Sequence, residues 1–483
     1  MLLSIVYDKF FIGGQWVNPS TQQVIAPINP STEQPLGQVP EGVEADIDAG
    51  VAAARAAFDD PRGWSQWEPA QRAEAMLRLA DEIDKRAEDF RARVSSQNGM
   101  PVAVASQLEI GYPSTVLRYY ANLLKQTSFS EVRPGLLGGE VEVRRKAIGV
   151  VAAIVPWNFP QTLTMFKLAP ALAAGCTLLI KPSPETVLDA YTLAEAIEAA
   201  NLPAGVVNIV PADRDAGAHL VAHPQVDKVA FTGSTAAGRK IGEVCGRLLR
   251  PVTLELGGKS AAIVLDDADL NLDQIGQGLF GSTLLNNGQT CFLGTRVLAP
   301  KNRYQEVVDA FTAFAGSLKV GDAAAEDTLI GPMATARQRE RVESYISQGK
   351  AAGGQITVGG GRPSDRDRGY FVEPTVFAGL DNSAVISQEE IFGPVLTIIS
   401  YDSDDEAVRI ANDSEFGLGG TVWTTDPERG AALARRVHTG TIGVNRYIPD
   451  PAAPFGGVKA SGLGRELGPE GLNSYLEAQS IYL

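Results

Sequence analysis

Cysteine and histidine are both scarce in this chain, with three of each among 483 residues. The cysteines stand at 176, 245 and 291. So odd and sparse a set excludes a disulfide framework and points to a reducing, cytoplasmic location. The histidines stand at 219, 223 and 438. His219 and His223 are four residues apart, but no Glu follows the first as in H-E-x-x-H. No third ligand is evident in the sequence, so no metal site is expected. Positive charge is also in deficit. Lys and Arg number 42 against 57 Asp and Glu, a net charge of −15. Such a field repels phosphate backbones, and nucleic acid is not expected as a partner. Long hydrophobic runs are missing too, so nothing is expected to span a membrane. The apolar residues 2–6 are too short for a signal segment and run at once into Asp8 and Lys9.

What is present describes a globular protein of two or three domains: 44% apolar and 20% charged residues, with 50 glycines in no fibrous period. From about 45 to 125, apolar residues recur at spacings of three and four, as in Ala70–Asp84 and Ser114–Leu124, and predict helices. Val132–Arg145 alternates weakly around Gly138-Gly139 and predicts a hairpin. A regular alternation follows. Ile148–Val155, Cys176–Ile180, Val206–Val210 and Lys228–Phe231 are apolar, β-favouring runs separated by helical stretches. Continuous apolar strands with helices between them predict a parallel sheet covered on both faces, the pattern of a Rossmann-like dinucleotide-binding domain. A second α/β region runs from about Gly257 to 445, with strands at Ala261–Leu265 and Val395–Ser400. The end of the chain, Ile481-Tyr-Leu483, is again strand-like.

Gly233-Ser234-Thr235-Ala236-Ala237-Gly238 follows one strand and opens a helix, where backbone N–H groups and a helix dipole can receive a pyrophosphate. A purely structural turn explains it equally well. Gly417-Leu-Gly-Gly420 opens no helix and reads as a turn. A free cysteine is more often buried and inert than reactive. Cys176 and Cys245, in an apolar strand and a helix, fit that reading. Cys291 does not, because it follows the polar stretch Asn286-Asn287-Gly288-Gln289-Thr290. A histidine partner for it is poorly supported. A carboxylate is the better base: Glu255, flanked by leucines in Leu254-Glu255-Leu256-Gly257-Gly258-Lys259, would be desolvated and more basic. A salt-bridged glutamate is the competing reading of that segment alone.

Pro156-Trp157-Asn158-Phe159-Pro160, Phe231–Ser234, Leu254–Lys259, the segment around Cys291, Glu390-Ile391-Phe392-Gly393-Pro394 and Pro454–Lys459 occur in this order. In content and order they closely resemble the aldehyde dehydrogenase superfamily, and the resemblance spans nearly the whole chain. It implies an α/β fold with three parts. These are an NAD(P)-binding domain (1–127 and 147–256), a catalytic domain (257–445), and an oligomerisation hairpin, substrate loop and C-terminal arm (128–146 and 446–483).

By resemblance Cys291 is the nucleophile, Glu255 the general base for the hydrolytic water, and Asn158 the amide that holds the oxyanion with the Cys291 N–H. Lys167 lies near the active site. Lys181, Ser183, Ser234, Gly233, Leu256, Gly257, Glu390, Phe392 and Trp157 are implied cofactor contacts. Pro184 stands where NAD-preferring members often carry Glu, so NAD is favoured only slightly and NADP stays open. The implied substrate pocket comprises Tyr112, Leu163, Phe166, Thr290, Phe292, Arg446, Tyr447 and Phe455. Its aromatics point to an apolar or aromatic aldehyde, while Arg446 would suit a semialdehyde. The implied reaction is aldehyde oxidation to a carboxylic acid through a thioester, in a homodimer or homotetramer. The competing readings are a CoA-acylating enzyme, which tends to lack the Glu at 255, and a non-catalytic protein on a retained fold.

Overall fold

The computed structural model describes residues 5–483; of the apolar run at 2–6, positions 2–4 lie outside it. An N-terminal hairpin of β1 (Phe10–Ile12) and β2 (Gln15–Val17) precedes four long helices. These are α1 (Glu44–Asp59), α2 (Pro69–Asp84), α3 (Ala87–Asn98) and α4 (Tyr112–Leu124). Ahead of α4, Ser106–Gly111 forms a π-helical turn, which periodicity alone does not disclose. The hairpin expected near Val132 is β3 (Ser130–Pro134) and β4 (Glu140–Ala147). Gly138 and Gly139 occupy its turn at φ of 98° and 75°, where a Cβ is disfavoured.

The apolar run at Ile148–Val155 becomes β5 (Val150–Ile154), buried at every position. It pairs in parallel with β6 (Thr177–Lys181) on one side and β8 (Lys228–Thr232) on the other. Strand β7 (Val207–Ile209) lies beyond β6, and β9 (Val252–Glu255) beyond β8. The helices between them are α5 (Pro160–Ala174), α6 (Leu188–Ala199), α7 (Arg214–Ala222) and α8 (Thr235–Arg247). Pro160 starts α5 with its fixed φ, and Gly175 ends it at φ 93°. Alternate residues of the strands feed two cores, Val151 and Leu178 facing α2, α4 and α5, and Val150 and Leu179 facing α1, α7 and α8. The sheet is therefore covered on both faces, as its unbroken apolar strands require.

Strand β17 (Gly462–Leu463) adds antiparallel to β9, so the first sheet runs β17-β9-β8-β5-β6-β7-β1-β2. The stretch 446–483 is thus divided between two sheets, because β18 (Leu476–Tyr482) instead pairs with β4 beside β3. A second sheet contains β10 (Ala261–Val264), β11 (Arg296–Pro300), β12 (Gln355–Val358), β13 (Thr375–Ala378), β14 (Val395–Tyr401), β15 (Gly420–Trp423) and β16 (Gly443–Val444). Its order is β12-β13-β14-β11-β10-β15-β16, parallel except at the β12–β13 edge. The Gly417–Gly420 string leads into β15 and opens no helix. Helices α9 (Leu272–Leu279) and α10 (Ala336–Ala351) belong to this half and bring residues to the site. Among the described residues no helix is long and apolar enough to cross a membrane.

Candidate active site

The segment that carries Cys291 is held in a conformation its sequence tolerates and its surroundings impose. Asn286, Asn287 and Gly288 are successively left-handed, at φ of 50°, 60° and 74°. Asparagine is among the few side chains at ease there. Gly288 also passes so close to the Gly393 carbonyl that a Cβ would collide with it. The two asparagines, and Gln289 after them, are pinned by their side chains. The Asn287 amide donates to the carbonyls of Gly99 (2.9 Å) and Pro332 (3.0 Å) and accepts from Gly331 N–H at 2.6 Å. Asn286 Nδ2 donates to Asn158 O at 2.9 Å, and Gln289 Oε1 accepts from Ala334 N–H at 2.9 Å. These contacts offset the cost of the strained backbone, about 1–3 kcal/mol per residue.

Asn158 follows the C-terminal end of β5. From β5 the chain proceeds to β6 and β7 on one side, then returns to β8 and β9 on the other, so the ends of β5 and β8 flank a topological switch point. A cleft of about 430 Å³ opens there. Trp157 and Asn158, Gly233 and Ser234, and Leu256 and Gly257 line it from the first sheet. Glu390 and Phe392 face them from the second half. Ser234 opens helix α8, its Oγ accepting from Ala237 N–H. At Gly257 a Cβ would stand 2.5 Å from Glu390 Oε2, so a side chain here would displace that carboxylate. Burial pushes the Glu390 carboxyl up to about 7, although Gly258 N–H donates to it at 2.9 Å. Phe392 meets Trp157 edge-on at 5.4 Å. A groove with a helix N-terminus, apolar walls and one carboxylate fits a dinucleotide.

A second cavity, of about 290 Å³, lies on the other side of Cys291. Tyr112, Leu163, Phe166, Phe292 and Phe455 line it together with Thr290. Among its described lining residues none is charged. Phe455 stands edge-on to Phe166 at 6.0 Å and to Phe292 at 6.4 Å. The Tyr112 hydroxyl donates to Pro449 O at 2.7 Å, which satisfies its polar end. Arg446 and Tyr447 are corrections. Arg446 is exposed and lines a separate cavity of about 580 Å³, as does Tyr447. Tyr447 packs on Phe292 at 4.8 Å, its hydroxyl bonded to Thr441 Oγ1.

Asn158 and Cys291 are the two residues common to both cavities. Burial pushes the Cys291 thiol up, with Glu390 and Glu255 adding to the effect and the residue's own N–H opposing it. Asn158 Nδ2 donates to Gln289 O at 3.0 Å, which uses one of its two amide hydrogens. Glu255, at the end of β9, is buried with neither carboxylate oxygen hydrogen-bonded. Burial raises its pKa well above the ordinary range. Glu466 raises it further, and Lys167 and Arg465 oppose. Lys167 is wholly buried and donates to Glu466 Oε1 at 2.8 Å and Thr232 Oγ1 at 2.5 Å. Nothing local in the sequence marks Glu466 for this pairing, because only folding brings it to Lys167.

The other expected cofactor residues lie at the end of β6. Lys181 is buried, its Nζ donating to Ala212 O (2.7 Å) and Pro182 O (3.2 Å), and burial lowers its pKa to about 8. Ser183 donates to Glu185, and Pro184 lies between them. None of Lys181, Ser183 or Pro184 lines the cleft; the link is Glu185, which faces Arg337 of α10 at 3.7 Å. Arg337, Gln338 and Arg341 do line it, and sequence reasoning missed them since α10 reads as an ordinary solvated helix. The other two cysteines are buried, and burial pushes Cys176 up to about 11. Folding also brings Asp48 of α1 to His219 and His223, a third acidic neighbour not evident in sequence. Gln225 N–H donates to His223 Nδ1, and His219 Nε2 lies 2.6 Å from Asp48 Oδ1.

A family model described as the aldehyde dehydrogenase family matches residues 16–481. The chain is 54% identical to geranial dehydrogenase of Castellaniella defragrans over 481 residues, covering 100% of both. Among solved structures it is similar to an aldehyde dehydrogenase of Mycobacterium tuberculosis complexed with NAD+. That match has a TM-score of 0.96 and 44% identity, and covers 99% of this chain and 98% of that one. It is likewise similar to a mutant of aldehyde dehydrogenase C from Pseudomonas syringae, complexed with NAD+ and octanal. There the TM-score is 0.94 and the identity 39%, over 98% of this chain and 96% of that one.

Proposed function

The chain belongs to the aldehyde dehydrogenase family and is an NAD-dependent aldehyde dehydrogenase; we propose that it oxidises apolar aldehydes to carboxylic acids through a thioester on Cys291. The observation that carries this reading is the meeting of two cavities, one polar-ended and one uncharged, at Cys291 and Asn158 alone.

In this reading the Cys291 thiol gives its proton to a nearby base, and the thiolate adds to the aldehyde carbon. Asn158 Nδ2–H and the Cys291 N–H hold the oxygen as it becomes an alkoxide. One such donor is worth about 2.7–4 kcal/mol of barrier. NAD+, when bound in the cleft, supplies the hydride acceptor. Collapse of the alkoxide leaves an acyl group on sulfur. Water then attacks it while Glu255, whose lone pairs are uncommitted, takes the water's proton. The C–S bond breaks, and the acid leaves with the thiolate restored.

The substrate class follows from the second cavity. A carboxylate or ammonium on the substrate would be desolvated with no described partner, at a cost of several kcal/mol. An apolar chain is favoured by about 25 cal/mol per Å² buried. Two of the similar proteins, the geranial dehydrogenase at 54% identity and the octanal complex, carry names of apolar aldehydes. Arg446, which would have suited a semialdehyde, stands outside this cavity. Reduction of NAD+ with octanal and geranial, but little with succinic semialdehyde and none by Cys291→Ala, is the expected result. Preference for the semialdehyde would refute the substrate class, and turnover only with coenzyme A would refute hydrolysis. The sheet β3-β4-β18 leaves Leu136, Leu137 and Tyr482 strongly exposed, which supports a homo-oligomer. Sedimentation at micromolar concentration tests this, and a monomer would refute it.

A further inference from the structure

A buried carboxyl group outside the reaction closes the start of the helix that follows Asn158. Helix α5 has Phe159 just outside it and Pro160 as its first residue, and the Phe159 side chain makes no capping bond. Proline has no N–H, and Leu163 N–H donates to Phe159 O at 2.9 Å. The N–H groups of Gln161 and Thr162 are therefore the two of the first turn without a partner inside the helix. Glu109 of the π-helical turn takes both. Its Oε2 accepts from Gln161 N–H at 2.7 Å and its Oε1 from Thr162 N–H at 3.3 Å. Glu109 is 0% exposed, so solvent does not share in satisfying these donors. Thr162 Oγ1 adds a third tie by donating to Leu108 O. The bonds join two walls of the aldehyde cavity, with Gln107, Leu108 and Tyr112 on one side of the join and Leu163 and Phe166 on the other.

We propose that Glu109 is a positioning residue for the oxidation, which through the first turn of α5 sets the Asn158 amide against the oxygen of an aldehyde bound at Cys291. The inference rests on the reading of Asn158 as an oxyanion donor. Only Phe159 separates Asn158 from Pro160, whose φ is fixed, so a shift of the first turn is passed to Asn158 with little slack. The backbone at 157 and 158 is held separately. Asn158 O accepts from Asn286 Nδ2 at 2.9 Å and from Asn98 Nδ2 at 3.3 Å, and Trp157 O accepts from Asn98 Nδ2 at 3.2 Å. After residue 158 the hold comes from Glu109, with Gln161 Nε2 also donating to Asp189. One amide hydrogen of Asn158 is spent on Gln289 O, so the place of the other follows from where this backbone stands. A displacement of about 1 Å at such a site costs about a hundredfold in rate. Burial pushes the Glu109 carboxyl up to about 8, so at neutral pH it holds the turn as a neutral acid. Glutamine, of the same shape, would keep the shorter bond to Gln161 N–H, whereas leucine would keep neither.

The test is single-turnover reduction of NAD+ by octanal in wild type, Glu109→Leu, Glu109→Gln, Asn158→Ala and the double variant Glu109→Leu with Asn158→Ala. Calorimetric NAD+ affinity is measured beside it. Glu109→Leu is expected to slow hydride transfer at least tenfold while NAD+ affinity stays within twofold, and Glu109→Gln to run at least threefold faster than the leucine variant. In the Asn158→Ala background the leucine should slow the residual rate by less than threefold, because the group it would misplace is gone. A role in stability alone would carry the full loss into that background. A loss of threefold or more there, a loss below tenfold in the single variant or one matched by NAD+ affinity, or a glutamine no better than leucine would overturn the proposal. If Glu109→Leu does not fold, Glu109→Asp takes its place by drawing the acceptor back one methylene. A loss of at least fivefold is then expected, with the same comparison against Asn158→Ala, and a smaller loss would overturn the proposal. A near-normal rate in Asn158→Ala itself would instead refute the oxyanion reading, and this inference with it.

Discussion

Breaking the buried Lys167–Glu466 pair from either end should move the deacylation step in opposite directions along the pH axis. Lys167 is 0% and Glu466 1% exposed, so neither charge is screened by water. Removing one partner of such a pair costs about 3–5 kcal/mol of stability, because the survivor is left buried and uncompensated. Both Lys167→Met and Glu466→Gln should therefore lower the unfolding midpoint, and the double variant should recover much of the loss. The catalytic signs differ. Glu255 is held above its ordinary range by burial first and Glu466 second, with Lys167 opposing. A nearby unit charge is worth about 2–3 kcal/mol at an effective dielectric near 20. That corresponds to about 1.5–2 pH units, an upper bound since the surviving partner partly neutralises. The base works ionised, so the rate falls as pH drops through its folded pKa. Lys167→Met should shift this acidic limb to higher pH, and Glu466→Gln to lower pH. Single-turnover thioester hydrolysis across pH, with thermal unfolding in parallel, measures both. Shifts of the same sign, or none despite lost stability, would refute the electrostatic link to Glu255.

Asn158→Ala should lower kcat by about 10²–10³-fold. NAD+ binding by calorimetry should change little, and near-normal turnover would rule out the oxyanion role. Gly257→Ala forces a Cβ to within 2.5 Å of Glu390 Oε2 and should weaken NAD+ binding at least tenfold, with near-normal affinity contradicting the tight approach. Glu109, buried where Gln161 and Thr162 N–H groups donate to it, has its carboxyl pushed up by burial to about 8. An acid with a raised folded pKa keeps its proton while the unfolded chain loses it. Stability thus falls by about 1.4 kcal/mol per pH unit between about 4.5 and 8. Glu109→Gln should flatten that slope in urea titrations, and an unchanged slope would refute the assignment.

The alternation of apolar runs with helical stretches was enough to foresee the parallel sheet, since a strand buried on both faces must be apolar at every position, as β5 is. The hairpin at Gly138-Gly139 was legible for a similarly local reason: backbone that turns left-handed needs glycine. Cys291 was legible as well. Its polar, asparagine-rich approach suits neither a strand nor a helix, and Cys176 and Cys245 lie in segments that do. The π-helical turn was not: Glu109 within it accepts from Gln161 N–H at the start of α5, a distant contact that local periodicity does not show.

What only the tertiary structure decided is which distant residues meet. Lys167 and Glu466 are 299 positions apart, and no local pattern marks a charge that will be buried against another. Arg446 and Phe455 are near neighbours in sequence, yet one lies exposed beside a separate cavity and the other walls the Cys291 cavity. Arg337 reads as part of a solvated helix, and only the tertiary structure sets it at the rim of the cleft. The sequence by itself determined the elements and the nucleophile, because these rest on local backbone preference and periodic burial. The charges and cavity walls around that nucleophile were decided in three dimensions, because electrostatic and apolar contacts act through space and ignore order along the chain.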